Sequence, residues 1–289
     1  MKLDSIASYL YFTTVKIETS SKDGDGSGTG FIFDFSDSPE DSSILFLVTN
    51  RHVVENTING KILFHTIDDN ENGEDISLEK SFYLDNIPDW NNMWFYHPDD
   101  QIDIAICPLL PIIENVKKNF NQHLFFKAIP RTSIPSQNEL YALDAIENVT
   151  FVGYPNGVWD SVHHLPILRK GTTASPLQID FEKKPIFLID ASVFGGSSGS
   201  PLFLMDNGMY ADKKGRAYVG RRFYFLGIVT AVYFRTQINS VEAKAIPTNL
   251  VPIVKNQEMI DLGVVFKSKM ILETISFFQK RASKICWRW

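Results

Sequence analysis

The sequence predicts an all-β protein that ends in a helix. Three observations carry this. Short apolar or alternating runs recur along most of the chain, and Gly, Pro, Asn and Asp punctuate them. The chain is also rich in strand formers, with 22 Phe and 10 Tyr.

The first run, Thr14-Val15-Lys16-Ile17-Glu18, alternates as a half-buried strand should. Asp23-Gly24-Asp25-Gly26-Ser27-Gly28 opens like a calcium loop. Such a loop needs a glutamate at its twelfth position, where Asp34 stands inside an apolar pattern. A Gly-rich hairpin turn into Phe31-Ile32-Phe33 is the simpler reading. Strands follow at Ile44–Val48, Lys61–Phe64, Ile104–Ile106, Thr150–Gly153, Ile186–Ile189, Pro201–Leu204 and Phe223–Leu226. The stretch Asp68–Asp75 reads as a solvated acidic loop, and a weak helical period runs from Pro111 to Phe126. At the end, Ile271, Ile275, Phe278, Ala282 and Ile285 fall on one face of a helix. Lys267 to Trp289 holds six Lys/Arg against the single acid Glu273. A basic amphipathic helix suits a membrane surface or an acidic partner. Packing of its apolar stripe on a barrel is the favoured reading, and it leaves Trp287-Arg288-Trp289 unexplained.

With 289 residues, 44% hydrophobic and 21% charged, the chain can bury a large core and is not a disordered one. The net charge of -6 disfavours non-specific nucleic-acid binding. No apolar stretch reaches the ~18 residues of a membrane span, and Met1 to Phe12 lacks a signal-peptide cleavage site. A cytoplasmic location is therefore expected. Of the two cysteines, Cys107 and Cys286, the first sits in an apolar strand and reads as a buried free thiol. Cys/His spacing indicates no metal.

The segment Gly195-Gly196-Ser197-Ser198-Gly199-Ser200-Pro201 carries the most chemistry. A serine nucleophile needs a base for its proton and backbone N–H donors for an oxyanion, and neighbouring glycine frees the backbone to supply them. Two partners lie upstream. His52 ends the apolar strand and turn Phe46–Arg51, and Asp103 opens the short apolar strand Ile104–Leu109. Singly, the histidine reads as structural and the aspartate as a cap. In the order His, Asp, Ser they form a nucleophile, a general base and an orienting carboxylate.

These segments resemble the trypsin-like, chymotrypsin-fold serine proteases, most closely the HtrA-type bacterial branch. Gly28–Phe33, Val48–Val54, Asp103–Ala105, Gly196–Pro201, Leu226–Ala231 and Ala245–Pro247 carry the resemblance. It implies two six-stranded antiparallel β-barrels with a C-terminal helix. The expected division is 1–137 with His52 and Asp103, 138–255 with Ser198, and a helical tail at 256–289; too little chain follows the barrels for a PDZ module. It also implies a serine endopeptidase without a cofactor, acting on a polypeptide. The N–H groups of Gly196 and Ser198 would form the oxyanion hole. Ser192, Val193, Phe194 and Ala231 would line the substrate pocket, which lacks an aspartate at its base and so suits an apolar or small side chain. Val152–Gly157 resembles a loop at the active-site entrance, with His163 and His164 downstream as solvated residues.

Two positions depart from the family. Ser197 stands where secreted digestive members carry aspartate, which argues against propeptide activation and for control by assembly or a regulatory protein partner. Ser200 replaces the usual glycine. Two rival functions remain. A catalytically silent, protease-like scaffold would bind peptide without turnover. An ester hydrolase would place its serine in Gly-x-Ser-x-Gly on a strand-to-helix turn, a spacing absent here.

Overall fold

A computed structural model describes residues 1–38, 40–68, 75–156, 158–240 and 253–282, with backbone only at 232–240 and 253–260. A capping box at Ser5 and Ser8 starts the short helix α1, Ile6–Leu10. The alternating run then forms β1, Thr14–Ser21, and the Gly-rich segment returns as β2, Gly24–Asp34. Ser21 pairs with Gly24 and Glu18 with Ser27, so this segment is hairpin ladder over most of its length. β3, Leu45–Thr49, leads into the single turn α2, Arg51–Val54. Next come β4 (Asn59–Ile67), β5 (Ser81–Leu84), β6 (Phe95–Tyr96) and β7 (Ala105–Pro108). The weak helical period is realised as α3, Leu110–Phe120, which buries Ile112 and Val116. β8 (His123–Phe125) and β9 (Ile129–Pro130) complete this half.

These nine strands form one sheet in the order β5-β4-β1-β2-β3-β7-β6, with β8 on β4 and β9 parallel to β2. The strand count exceeds the six expected because short chain segments add to the edges of β4 and β2.

The second half opens with α4, Gln137–Ala142, started by a capping box between Ser136 and Glu139. Six strands follow: β10 (Asn148–Gly153), β11 (Ile167–Thr173), β12 (Ile186–Asp190), β13 (Pro201–Ala211), β14 (Ala217–Ser240) and β15 (Ile253–Lys267). They close into a barrel in the order β10-β11-β12-β15-β14-β13. Closure runs through the pairing of Thr150 with Phe203. The barrel therefore continues past the expected boundary at 255. Residues 262–267 pair with β12 and β14 on either side, and removing them would open the barrel.

Helix α5, Lys269–Ala282, begins right after that strand. Its apolar stripe is used as expected: Ile271 and Ile275 are fully buried, and Phe278 meets Phe46 and Phe95 edge-on at 5.7 and 5.5 Å. Ala282 is half-buried, whereas Ile285 and Trp287–Trp289 lie outside the described residues. The helix caps a core shared by both sheets. Phe31, Phe33 and Ile106 of the first sheet pack with Phe203, Phe225 and Phe266 of the second. Phe31 and Phe225 touch edge-to-face at 5.4 Å. Each such ring contributes about 1.5–3 kcal/mol by burial, so the two sheets are joined through an apolar interior rather than a solvated seam. Among the described residues no helix is long and apolar enough to cross a membrane.

Candidate active site

The residue that follows β3, Asn50, turns the chain into α2 and projects His52 from its second position. Val53 and Val54 anchor the turn in the core, leaving the imidazole about half exposed. Asp103 precedes β7, and its backbone carbonyl accepts the Asn50 side-chain N–H at 2.8 Å. Its carboxylate takes the His52 backbone N–H on Oδ1 at 2.9 Å and meets His52 Nδ1 through Oδ2 at 2.6 Å. The second contact fixes the ring so that Nε2 is the nitrogen left for chemistry. The Thr230 hydroxyl donates a third hydrogen bond to the same Oδ2. Thr230 belongs to β14 of the barrel, so this bond ties the two halves together at the carboxylate.

Ser198 lies on the loop between β12 and β13. Gly196 and Gly199 have φ of +83° and +90°, which L side chains rarely adopt. A Cβ on Gly199 would also fall 1.8 Å from the Thr29 carbonyl oxygen. The loop thus lies directly on β2 of the other sheet. Thr29 makes that contact specific: its N–H donates to the Ser198 carbonyl at 2.8 Å and its hydroxyl to the Gly196 carbonyl at 3.0 Å. The same hydroxyl accepts the Tyr154 N–H at 2.9 Å, while the Thr29 carbonyl accepts the Thr49 hydroxyl at 2.8 Å. Gly28 marks the convergence, since a Cβ there would lie 2.6 Å from Val53 Cγ1 and 3.3 Å from the Ser198 carbonyl. The turn bearing His52 and the loop bearing Ser198 therefore flank one point. The Ser198 hydroxyl itself is directed at the Thr230 carbonyl, 3.5 Å away. Among the described residues it has no hydrogen bond to His52.

The Gly195–Gly196 peptide is oriented from the second half. Asn156 N–H donates to the Gly195 carbonyl at 2.7 Å, and the Asn156 side chain is held by the Ser27 hydroxyl across the cleft. With the carbonyl held there, the Gly196 N–H of the same planar peptide points the opposite way. Neither it nor the Ser198 N–H has a hydrogen-bond partner among the described residues. Both N–H groups therefore remain open to an acceptor.

The remaining residues singled out in the sequence divide clearly. Ser192 is half-buried, Phe194 and Ala231 are exposed, but Val193 is only 4% exposed and packs inside the barrel. Its side chain does not line the cleft, because it fills the space beside Gly263 and Ile189. Ser200 is accommodated where glycine was expected because Gly153 stands opposite, leaving no Cβ for the Ser200 hydroxyl to strike. Ser197 is buried, its hydroxyl without a partner among the described residues. His163 is solvated and bonds Asp160 through Nδ1 at 2.8 Å. His164 departs from the expectation: it packs between Trp159 and Tyr83, and its carbonyl accepts the Tyr154 hydroxyl at 3.2 Å. Burial pushes the Cys107 thiol up to about 12, so it stays protonated and inert. Cys286 lies outside the described residues. Thr29, Asn156 and Thr230 are the site residues that the sequence did not single out. All three sat within quoted motifs, but nothing local marks which hydroxyl or amide bridges two distant segments.

A family comparison matches the trypsin-like peptidase domain over residues 28–210. The chain belongs to the trypsin-like peptidase family. Solved structures similar to it include the HtrA-type protease AlgW with tripeptide, at 14% identity and TM-score 0.45, covering 93% of this chain and 61% of that one. The active form of the Rv3671c protease from M. tuberculosis is 16% identical with TM-score 0.46, over 94% and 83% of the two chains. The serine endoprotease from Yersinia pestis is 14% identical with TM-score 0.45, over 93% and 63%. The chain thus spans about three fifths of the length of the AlgW structure it matches. Comparison with curated proteins gave no match.

Proposed function

We propose that this protein is a serine endopeptidase that cleaves polypeptides through an acyl-enzyme on Ser198. The observation that carries this reading is the Asp103 carboxylate, which binds both His52 nitrogen donors and the Thr230 hydroxyl beside the Ser198 loop. In the reaction, rotation about the Ser198 Cα–Cβ bond brings its hydroxyl from the Thr230 carbonyl to His52 Nε2. That nitrogen takes the proton as Oγ attacks the substrate carbonyl, and Asp103 stabilises the imidazolium. The N–H groups of Gly196 and Ser198 hold the oxyanion, each worth about 3 kcal/mol in the transition state. His52 then protonates the leaving amine, and water attacks the acyl-enzyme by the reverse sequence. Residues 1–137 would supply base and orienting acid, and the chain from 138 the nucleophile. No step requires a cofactor.

The expected result is that a fluorophosphonate probe labels the parent chain and neither Ser198→Ala nor His52→Ala, and that peptide turnover vanishes in both while their circular dichroism is unchanged. Turnover retained by purified Ser198→Ala would refute the assignment. The Ser198 hydroxyl directed at Thr230 favours one other reading, a peptide-binding scaffold without turnover. A parent chain that resists the probe yet binds peptide would establish that reading instead.

A further inference from the structure

Arg169 stands apart from the paired arginines of this protein. Arg51, Arg131, Arg216 and Arg222 each hold a carboxylate within 3 Å. The Arg169 side chain has neither an ion pair nor a hydrogen bond among the described residues. It is nevertheless partly withdrawn from water. Directly opposite Phe151 in the β10–β11 ladder, its side chain shares the inner face of the barrel with that ring. Its guanidinium lies 5.8 Å from the Phe151 ring and 4.6 Å from the exposed Phe194 ring. Desolvation pushes its pKa down, and the field of Asp261 offsets this only in part.

Register explains why these groups meet. Thr172 pairs with Asp190, and a Cβ on Gly171 would lie 2.6 Å from that of Ala191. Continuing antiparallel, the chain from Ala191 to Phe194 runs beside β11 toward Arg169. The Phe194 carbonyl then accepts the Ser197 N–H at 3.0 Å, which closes the turn that presents Ser198. In the substrate pocket that the family resemblance implies, with Ser192 and Phe194 in its wall, a substrate residue held at Ser198 would have its side chain beside this same wall. The neighbouring wall residues Ser192 and Ala231 carry no charge. A guanidinium held over an aromatic ring without an ion pair still has N–H groups to offer a carboxylate.

We propose that Arg169 is a specificity-determining residue that selects an acidic side chain, Asp or Glu, on the residue whose carbonyl Ser198 attacks. This replaces the apolar or small preference expected from the sequence and rests on the peptidase reading above. Phe194 holds the guanidinium in place, and the substrate carboxylate supplies the missing counter-charge. A charge-assisted hydrogen bond at a partly desolvated site gives a discrimination of about ten- to hundredfold.

The test compares cleavage of peptides that differ only in Glu, Gln or Leu at that position, by the parent, Arg169→Met and Arg169→Lys. The parent should show kcat/KM for Glu about tenfold or more above Gln, Arg169→Met should lose the difference, and Arg169→Lys should keep part of it. Fluorophosphonate labelling of Ser198 should be unchanged in both variants, which separates lost specificity from lost catalysis. Equal kcat/KM for Glu and Gln in the parent, or an acidic preference that survives in Arg169→Met, would overturn the assignment. If the parent turns over no peptide at all, equilibrium binding of the same peptides to Ser198→Ala decides. Tighter binding of Glu than Gln, lost with Arg169→Met, supports Arg169; equal binding sinks it.

Discussion

Asn156 illustrates how one side chain away from the reacting atoms can set a rate. Its backbone N–H fixes the Gly195 carbonyl, and its side chain reaches Ser27 on the opposite sheet. Asn156→Ala keeps that N–H but loses the side-chain anchor to Ser27, so the backbone that aims the proposed oxyanion donor Gly196 loosens; kcat should fall by about tenfold with little change in KM. Steady-state kinetics on a single peptide separates the two parameters. His65 works in the opposite sense, through burial. It is 4% exposed, edge-on to Phe12 at 5.0 Å, and among the described residues neither ring nitrogen has a hydrogen bond of good geometry. Burial pushes its imidazole down to about 4, and the nearby His164 carbonyl offsets this only in part. Between about pH 6.5 and 4 the unfolded chain therefore binds a proton that the folded chain refuses. The stability due to neutral His65 is complete above about pH 6.5 and falls as pH drops toward 4, by on the order of 3 kcal/mol. Urea melts at pH 7 and pH 4.5 should show a smaller loss for His65→Leu than for the parent; equal losses would refute this.

At the scale of elements, α5 has the clearest role. Its stripe closes a core to which both sheets contribute, and Ile275 is fully buried there. Ile275→Ala should cost about 2–5 kcal/mol, from lost transfer energy and a cavity that rigid strands cannot collapse. Chemical denaturation measures it, and a loss below 1 kcal/mol would mean that the helix is peripheral. The stripe was legible because a period of 3.6 is a property of the local sequence. The capping boxes at Ser5 and Ser136 are equally local, but each starts a helix of only five or six residues, with too few turns to show a period. The strand runs were visible as runs, while their ends were not. β2 begins seven residues before the apolar segment Phe31–Phe33, since its outer half is polar ladder exposed to solvent.

For the molecule as a whole, the shared core and the Thr29 and Thr230 bonds predict that the two halves unfold together. With Trp159, Trp287 and Trp289 replaced by Phe, tryptophan fluorescence reports only Trp90 and Trp94 in the first half, and far-ultraviolet circular dichroism reports both halves. The two urea transitions should coincide. Separate midpoints would show that the interface is weaker than its apolar burial implies.

The sequence by itself determined the chemistry on offer: a serine between glycines, a histidine after a strand and an aspartate before one, in an order shared with a known family. It also determined the β-rich class and the helical stripe, since both depend on neighbours within a few residues. Only the tertiary structure decided that Val193 faces inward, that β15 closes the barrel, that Thr29, Thr230 and Asn156 bridge segments more than a hundred residues apart, and that Arg169 lies against Phe194. Those facts depend on strand register and on which sheet faces meet, and contacts between distant segments leave no periodic trace in one chain.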